Sequence, residues 1–202
     1  MSRRQHEIGK RREGALCRYP AWFRHGLIFT TKRFAHMKFW GLHSALGLGI
    51  AVATAAADQL HKIWMIGILE DTPSGKIVLA PFFDLVLVWN RGISYGLLKQ
   101  DGEAGRWVLI AFSLSAAVAL MYWLAHLQTR PSAIGAGLII GGALGNAFDR
   151  LHYGAVADFF SFHAGGFQWY IFNLADVAIV AGVAGLLYDS LLLSHKSAGK
   201  QA

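Results

Sequence analysis

PSAIGAGLIIGGALGNAF, Pro131 to Phe148, runs for eighteen residues without a charge and then meets Asp149-Arg150. About 20 residues at ~1.5 Å rise cross the ~30 Å hydrocarbon core of a bilayer, so this stretch predicts a transmembrane helix. Three other segments have the same character. Phe39–Ala57 is closed by Asp58, and helix is expected to continue to about Trp64. Trp107–Ala125 lies between Arg106 and His126, and Phe167–Tyr188 is interrupted only by Asp176. Apolar residues make up 54% of the 202 and charged residues 15%, against roughly 25% charged in soluble domains. That excludes an ordinary water-soluble domain and a disordered chain. The expected fold class is an all-α membrane protein with four transmembrane helices. The first run is too long, and too lacking in a small-residue cleavage site, for a removed signal peptide, so it is expected to be retained.

The formal net charge of +7 is unevenly spread: residues 1–38 sum to +8 and the remainder to −1. Four spans put both termini on one side. That side collects thirteen Lys and Arg, namely ten in 1–38 with Arg130, Lys196 and Lys200. The other side holds Lys76, Arg91, Lys99, Arg106 and Arg150, with Lys62 at the boundary. The positive-inside rule then makes the termini cytoplasmic and puts Asp58, Asn90, Asp149, Asp158 and Asp176 at or near the outer face.

The organisation expected is a basic cytoplasmic extension (1–38), a membrane domain (39–194) and a cytoplasmic tail (195–202). The extension is disordered or lies on anionic lipid. No motif accompanies its charge, so nucleic acid is not an expected partner. Met37-Lys38-Phe39-Trp40 would itself make an ordinary membrane-protein start. Within the membrane domain, Ile77–Ala80 and Phe82–Trp89 are rich in β-formers, broken by Pro81 and closed by the turn signal Asn90-Arg91-Gly92. They predict a small extracytoplasmic β-sheet, a cradle at about 69–105, between the first and second spans.

The polar residues of the spans carry the functional signal. A carboxylate inside a membrane helix costs roughly 2.5–3.5 kcal/mol on insertion scales and marks a functional site by default. Asp176, read as helical throughout from Phe167, would lie up to ~13 Å into the last span, with Asn173 on the same face. Asn146, Asp149 and Arg150 share a face near the outer end of the third span, and Asp58 and Lys62 repeat that spacing in the first. Asp158 sits in what reads as a short loop between Val156-Ala157 and Phe159-Phe160, apolar enough to fold back into the interface. Gly137, Gly141 and Gly145 form a small-residue stripe that lets helix backbones approach closely, expected to draw the Asn146/Asp149/Arg150 face against a neighbour, the Asn173/Asp176 face. The bland alternative for Asp149, Arg150, Asp58 and Lys62 is a set of mutually neutralising interfacial pairs. Asp176 has no basic partner in its own span.

Two aspartates brought together in a low-dielectric pocket cannot both ionise, so they share a proton. One then serves as base toward water and the other as acid, which is peptide hydrolysis without a metal or a nucleophilic side chain. Asp158 and Asp176 are the pair expected to do this. The nine His are scattered and no HExxH occurs, so no metal or cofactor is expected. Cys17 is the single cysteine, which excludes an internal disulfide framework and Cys-based metal sites. Ser94 and Ser161 lack a nucleophile context.

Asn90-Arg91-Gly92-Ile93-Ser94-Tyr95-Gly96, Gly145-Asn146-Ala147-Phe148-Asp149-Arg150, Gly154-Ala155-Val156-Ala157-Asp158-Phe159 and Phe172-Asn173-Leu174-Ala175-Asp176 follow one another in order, after Asp58-Gln59 and Lys62. Together these five blocks resemble the bacterial lipoprotein signal peptidase (signal peptidase type II) family over residues 40–193. The resemblance implies an intramembrane aspartyl protease of the inner membrane with a periplasmic β-cradle. It would cleave diacylglyceryl-modified prolipoproteins just before the lipidated Cys. Asp158 and Asp176 would be its catalytic pair. Asn90 and Arg150 would bind the substrate backbone, with Asn146, Asn173 and Ala175 shaping the pocket and Gly92 and Gly145 among the substrate-binding or supporting positions. Asp58, Lys62 and Asp149 would be supporting residues. Membrane lipid and globomycin-type cyclic peptides are the further partners implied. Tyr95 stands where Phe is commoner in the family.

Two rival readings come from other classes. An ion- or proton-coupled transporter would spread its carboxylates across membrane depth, whereas these gather at one level and only Asp189 lies toward the cytoplasmic end. A scaffold would recruit partners through the basic arm, and deleting residues 1–36 separates it from an enzyme.

Overall fold

The computed structural model describes residues 39–92 and 103–198. The basic extension 1–38, Ser94, Tyr95, Gly96 and Lys99 lie outside the described residues. Everything below belongs to the unit that begins at Trp40.

Among the described residues four helices form: α1 (Ser44–Glu70), α2 (Glu103–Leu124), α3 (Arg130–His152) and α4 (Leu174–Ala198). By length and apolarity three of them, α2, α3 and α4 over Leu174–Leu191, qualify as membrane spans. α1 is the longest at 27 residues, about 40 Å, but Asp58, Gln59, His61 and Lys62 interrupt its apolar character. It starts at Ser44, after the expected Phe39, and runs six residues past Trp64. α2 and α4 turn large apolar side chains such as Val108, Phe112, Val180 and Leu187 outward, more than half exposed. That inside-out pattern suits helices whose solvent is lipid.

α3 is the central element, and its glycines explain why. Ideal Cβ atoms at Gly141 and Gly145 would lie 2.5 Å from the Ala51 carbonyl and from Asp58 Oδ2, both on α1, and Gly137 meets the Gly47 carbonyl. The four-residue glycine stripe therefore packs on α1, while Asn146 of the same helix meets Asn173 and Asp176, the neighbour expected for its polar face. A second pair seven residues apart serves α4: Gly135 meets the Gly182 carbonyl and Gly142 the Ala175 carbonyl. Residues at i and i+7 return to one face after two turns, so one helix carries two close-approach faces.

Thr129 caps α3, its hydroxyl accepting from Ser132 N at 3.3 Å with Pro131 in the first turn. The same hydroxyl donates to Asp189 of α4, as does Ser132 Oγ at 2.5 Å. Asp189 thus locks the two helices at the end far from Asp176. Thr129→Ala is expected to lower unfolding free energy by about 1–2 kcal/mol while leaving catalysis unchanged, which a thermal melt in detergent beside a turnover assay measures.

The sheet is antiparallel in the order β1 (Lys76–Ala80), β2 (Phe83–Asn90), β3 (Val156–Ala164), β4 (Phe167–Gln168). The first two strands match the sequence reading. The other two correct it, because the sheet is not confined to the segment between α1 and α2. Asp158 lies on a nine-residue strand rather than in a loop, since paired backbone satisfies polar groups that an interfacial loop would leave open. Gly165-Gly166, with φ of 57° and 83°, form the two-residue turn between β3 and β4. Phe167–Asn173 is therefore not helical, and α4 begins only at Leu174.

Met65 and Leu69 of α1 pack on Ala157 and Phe159, fastening the sheet to the end of that helix. Asp84 ties the strands laterally: Lys76 Nζ stands 2.5 Å and His163 Nε2 2.8 Å from its carboxylate. The hydrogen-bonded Lys76 ammonium, helped by His163, holds that carboxyl below the usual range.

Candidate active site

Asp158 is buried, with 2% exposure. Antiparallel pairing sets Val88 opposite it, so Asn90 comes two residues along on the same face. Asn90 Nδ2 donates to Asp158 Oδ2 at 3.0 Å, and Asn173 Nδ2 donates to Oδ1 at 2.7 Å. Asn173 is within reach because Phe172 bonds Phe159 and Phe160 through backbone at 2.9 to 3.2 Å, holding the entry to α4 against β3.

Asp176 occupies the first turn of α4, not the depth expected of a continuous helix from Phe167. Its N–H donates to Asn173 Oδ1 at 3.1 Å while its Oδ2 accepts from Asn173 N at 3.3 Å. This reciprocal pair is a capping box, with Asn173 as cap and Asp176 three residues on. The positive end of the helix dipole also meets that carboxylate. Asn146 Nδ2 donates to Asp176 Oδ1 at 2.9 Å.

A cavity of about 250 Å³ opens onto both carboxylates, with Asn90, Asn146 and Arg150 on its polar side and Phe112 of α2 on its apolar side. Burial pushes the Asp158 carboxyl up to about 7, and the charge of Asp176 pushes the same way, against the hydrogen bonds from Asn90 and Asn173. Arg150 donates through Nη1 to the Asn146 carbonyl and through Nη2 to the Gly92 carbonyl, each at 3.3 Å. Its buried Nε has no hydrogen-bond partner among the described residues. Gly92 N in turn donates to Asn90 Oδ1 at 3.0 Å.

Behind this wall lie Asp58, Lys62 and Asp149, each no more than 1% exposed. Lys62 Nζ is 2.8 Å from a carboxylate oxygen of both acids. Asp58 and Lys62 therefore pair as the alternative reading had it, but Asp149 pairs with Lys62 rather than with its neighbour Arg150, and all three groups are deeply buried. Gly145 leaves room for Asp58, whose Oδ1 accepts from Ala175 N at 2.9 Å. All twelve residues singled out from sequence thus converge on the cavity or its backing. Gln59, to which the sequence assigns no role, reaches Asp149 Oδ1 at 2.8 Å and the Gly145 carbonyl at 3.2 Å through its Nε2. Its place three residues before Lys62, on one helical face, was the available signal. Phe112 carried none.

Comparisons with known proteins follow the same course. The profile of the family described as Signal peptidase (SPase) II matches residues 50–192. A lipoprotein signal peptidase of Nitrobacter hamburgensis is 53% identical over 150 residues, covering 72% of this chain and 92% of that protein. One of Methylorubrum extorquens is 52% identical over 145 residues, covering 72% and 85%. A bacterial membrane enzyme solved by the in meso method at 2.3 Å resolution superposes with a TM-score of 0.64 at 25% identity, over 80% of this chain and 96% of that one. The transporter reading finds no support among them.

Proposed function

The chain belongs to the signal peptidase II family, a membrane protease acting on prolipoproteins, and from that premise we propose that Asp158 and Asp176 are the aspartyl pair that performs the cleavage. The observation that carries the reading is that both carboxylates line one cavity while Asn173 bonds to each of them.

The raised Asp158 is the group that holds the pair's proton near neutral pH. Asp176, at the positive end of α4, is the base. It takes a proton from a water, whose oxygen attacks the carbonyl carbon preceding the diacylglyceryl Cys. Asp158 gives its proton to the carbonyl oxygen. As the tetrahedral intermediate collapses, the proton held by Asp176 passes to the departing Cys nitrogen and Asp158 recovers its own, so the site ends as it began. Arg150 and the Asn90 amide, both lining the cavity, bind substrate backbone, and the aromatic-rich sheet limits water at the cut.

In this reading all four helices cross the inner membrane with both termini cytoplasmic. The ends bearing Asp58, Asp149 and Asp176 face the periplasm, and the lipid chains of the substrate stay in the bilayer. Globomycin-type peptides would compete for the same cavity.

Purified protein in lipid micelles is expected to cut a diacylglyceryl-prolipoprotein before its Cys, to leave the unlipidated precursor intact and to be stopped by globomycin; mass spectrometry of the products reads all three. The proton on Asp158 is present below about 7 and lost above it, so kcat is expected to fall as pH rises through that value. A rate independent of pH from 6 to 9, or equal cutting of the unlipidated chain, would count against the proposal.

A further inference from the structure

Each member of the pair follows a residue whose backbone N–H is held by a different buried carboxylate. Asp58 Oδ1 accepts from Ala175 N at 2.9 Å, directly before Asp176. Asp149 Oδ2 accepts from Ala157 N at 3.3 Å, directly before Asp158. The two holding carboxylates come from α1 and α3, and Lys62 Nζ binds Oδ2 of both at 2.8 Å. The remaining Lys62 contact goes to Asn146 Oδ1 at 3.1 Å. That choice leaves Asn146 Nδ2 as the donor toward Asp176. An ammonium has three donors, and all three are used.

Neutralisation alone does not account for this arrangement. Burying two acids and one base leaves an excess negative charge, and well-packed apolar residues commonly stabilise a core at least as well as a buried ion pair. What apolar residues could not supply is the connection of one atom to the backbones on both sides of the cavity.

We propose that Lys62 is a positioning residue, the hub of a two-armed clamp that sets the spacing of the backbones carrying Asp158 and Asp176 and the orientation of the Asn146 amide beside Asp176. The inference rests on the reading of those two aspartates as the reacting pair. Lys62 itself touches neither of them.

Lys62→Met alone leaves two carboxylates facing each other and tests folding more than function. The double variant Lys62→Met/Asp58→Asn keeps one excess negative charge, as in the natural cluster. Its thermal transition in detergent is expected within about 5 °C of the natural protein, with kcat on diacylglyceryl-prolipoprotein down about 100-fold and KM within about threefold. A charge-compensating strut would instead recover kcat together with stability, and a double variant within about threefold of natural kcat overturns the clamp. Should that variant fail to fold, Asp149→Asn, isosteric and retaining Lys62, takes its place. It is expected to lose about tenfold in kcat at constant KM, and natural kcat there is the overturning result. Asp158→Asn runs in parallel. If it still cleaves, the pair assignment has failed; if it is dead while the double variant is active, only the clamp has.

Discussion

Asp158→Asn is expected to abolish cleavage, by about 10³–10⁴-fold in kcat, and at the same time to make the protein more stable above pH 7. The two effects share one cause. The folded protein keeps a proton on Asp158 up to about 7, whereas an unfolded chain releases it near 3.8. Between those values the folded state binds more protons than the unfolded one, so stability falls as pH rises through the window. The full difference corresponds to about 4 kcal/mol at high pH, part of which Asn recovers by accepting and donating without a charge. A gain of about 1–2 kcal/mol at pH 8.5 that vanishes near pH 4 is expected from melts at the two values. Asp176→Asn should be equally inactive but without the gain, because its carboxylate accepts from Asn173 N in the capping box and faces the helix dipole. Asp158→Asn that leaves cleavage intact removes the acid–base assignment. Equal stability at both pH values removes the account of the buried proton.

Much of the site was legible because chemistry constrains it at short range. Asn146, Asp149 and Arg150 lie on one helical face by spacing alone, and uncharged runs of about 20 residues announce themselves as spans. The last span was misread because apolar sequence was treated as helix. Phe167 to Asn173 is apolar, but the Gly165-Gly166 pair before it is a hairpin signal, and Asn173 with Asp176 three residues later is a helix-start signal. Together they halt the span and bring Asp176 from the presumed mid-helix to the first turn. Asp158 was mislaid for a related reason: Val156–Ala164 alternates poorly, since it is buried along most of its inner half on both faces. Which neighbour each glycine faces was not readable, because the four-residue stripe and the seven-residue pair overlap within one helix and only the tertiary partners distinguish them.

Those glycines lead to the second large effect. Gly142→Ala is expected to lower kcat about 100-fold and to cost about 1–3 kcal/mol of stability. Its Cβ would lie 2.5 Å from the Ala175 carbonyl oxygen and 2.8 Å from Ile179 Cγ1, and a backbone atom cannot swing away as a side-chain tip can. α4 must shift at the residue before Asp176, the same residue whose N–H is held by Asp58. Asp176 would then move relative to Asn146 and Asp158. Gly135→Ala makes the matched control: it presses on the Gly182 carbonyl at 2.8 Å across the same helix pair, two turns or about 10 Å farther from the cavity than Gly142. Comparable stability loss with less than about tenfold loss of kcat is expected there. Gly185→Ala meets nothing within 4 Å and should raise helix stability by up to about 1 kcal/mol with kcat unchanged. If Gly135→Ala and Gly142→Ala reduce turnover equally, the loss is one of general packing and not of where Asp176 sits. If only Gly142→Ala does, the closeness of α3 to the first turn of α4 is what holds the second carboxylate in place.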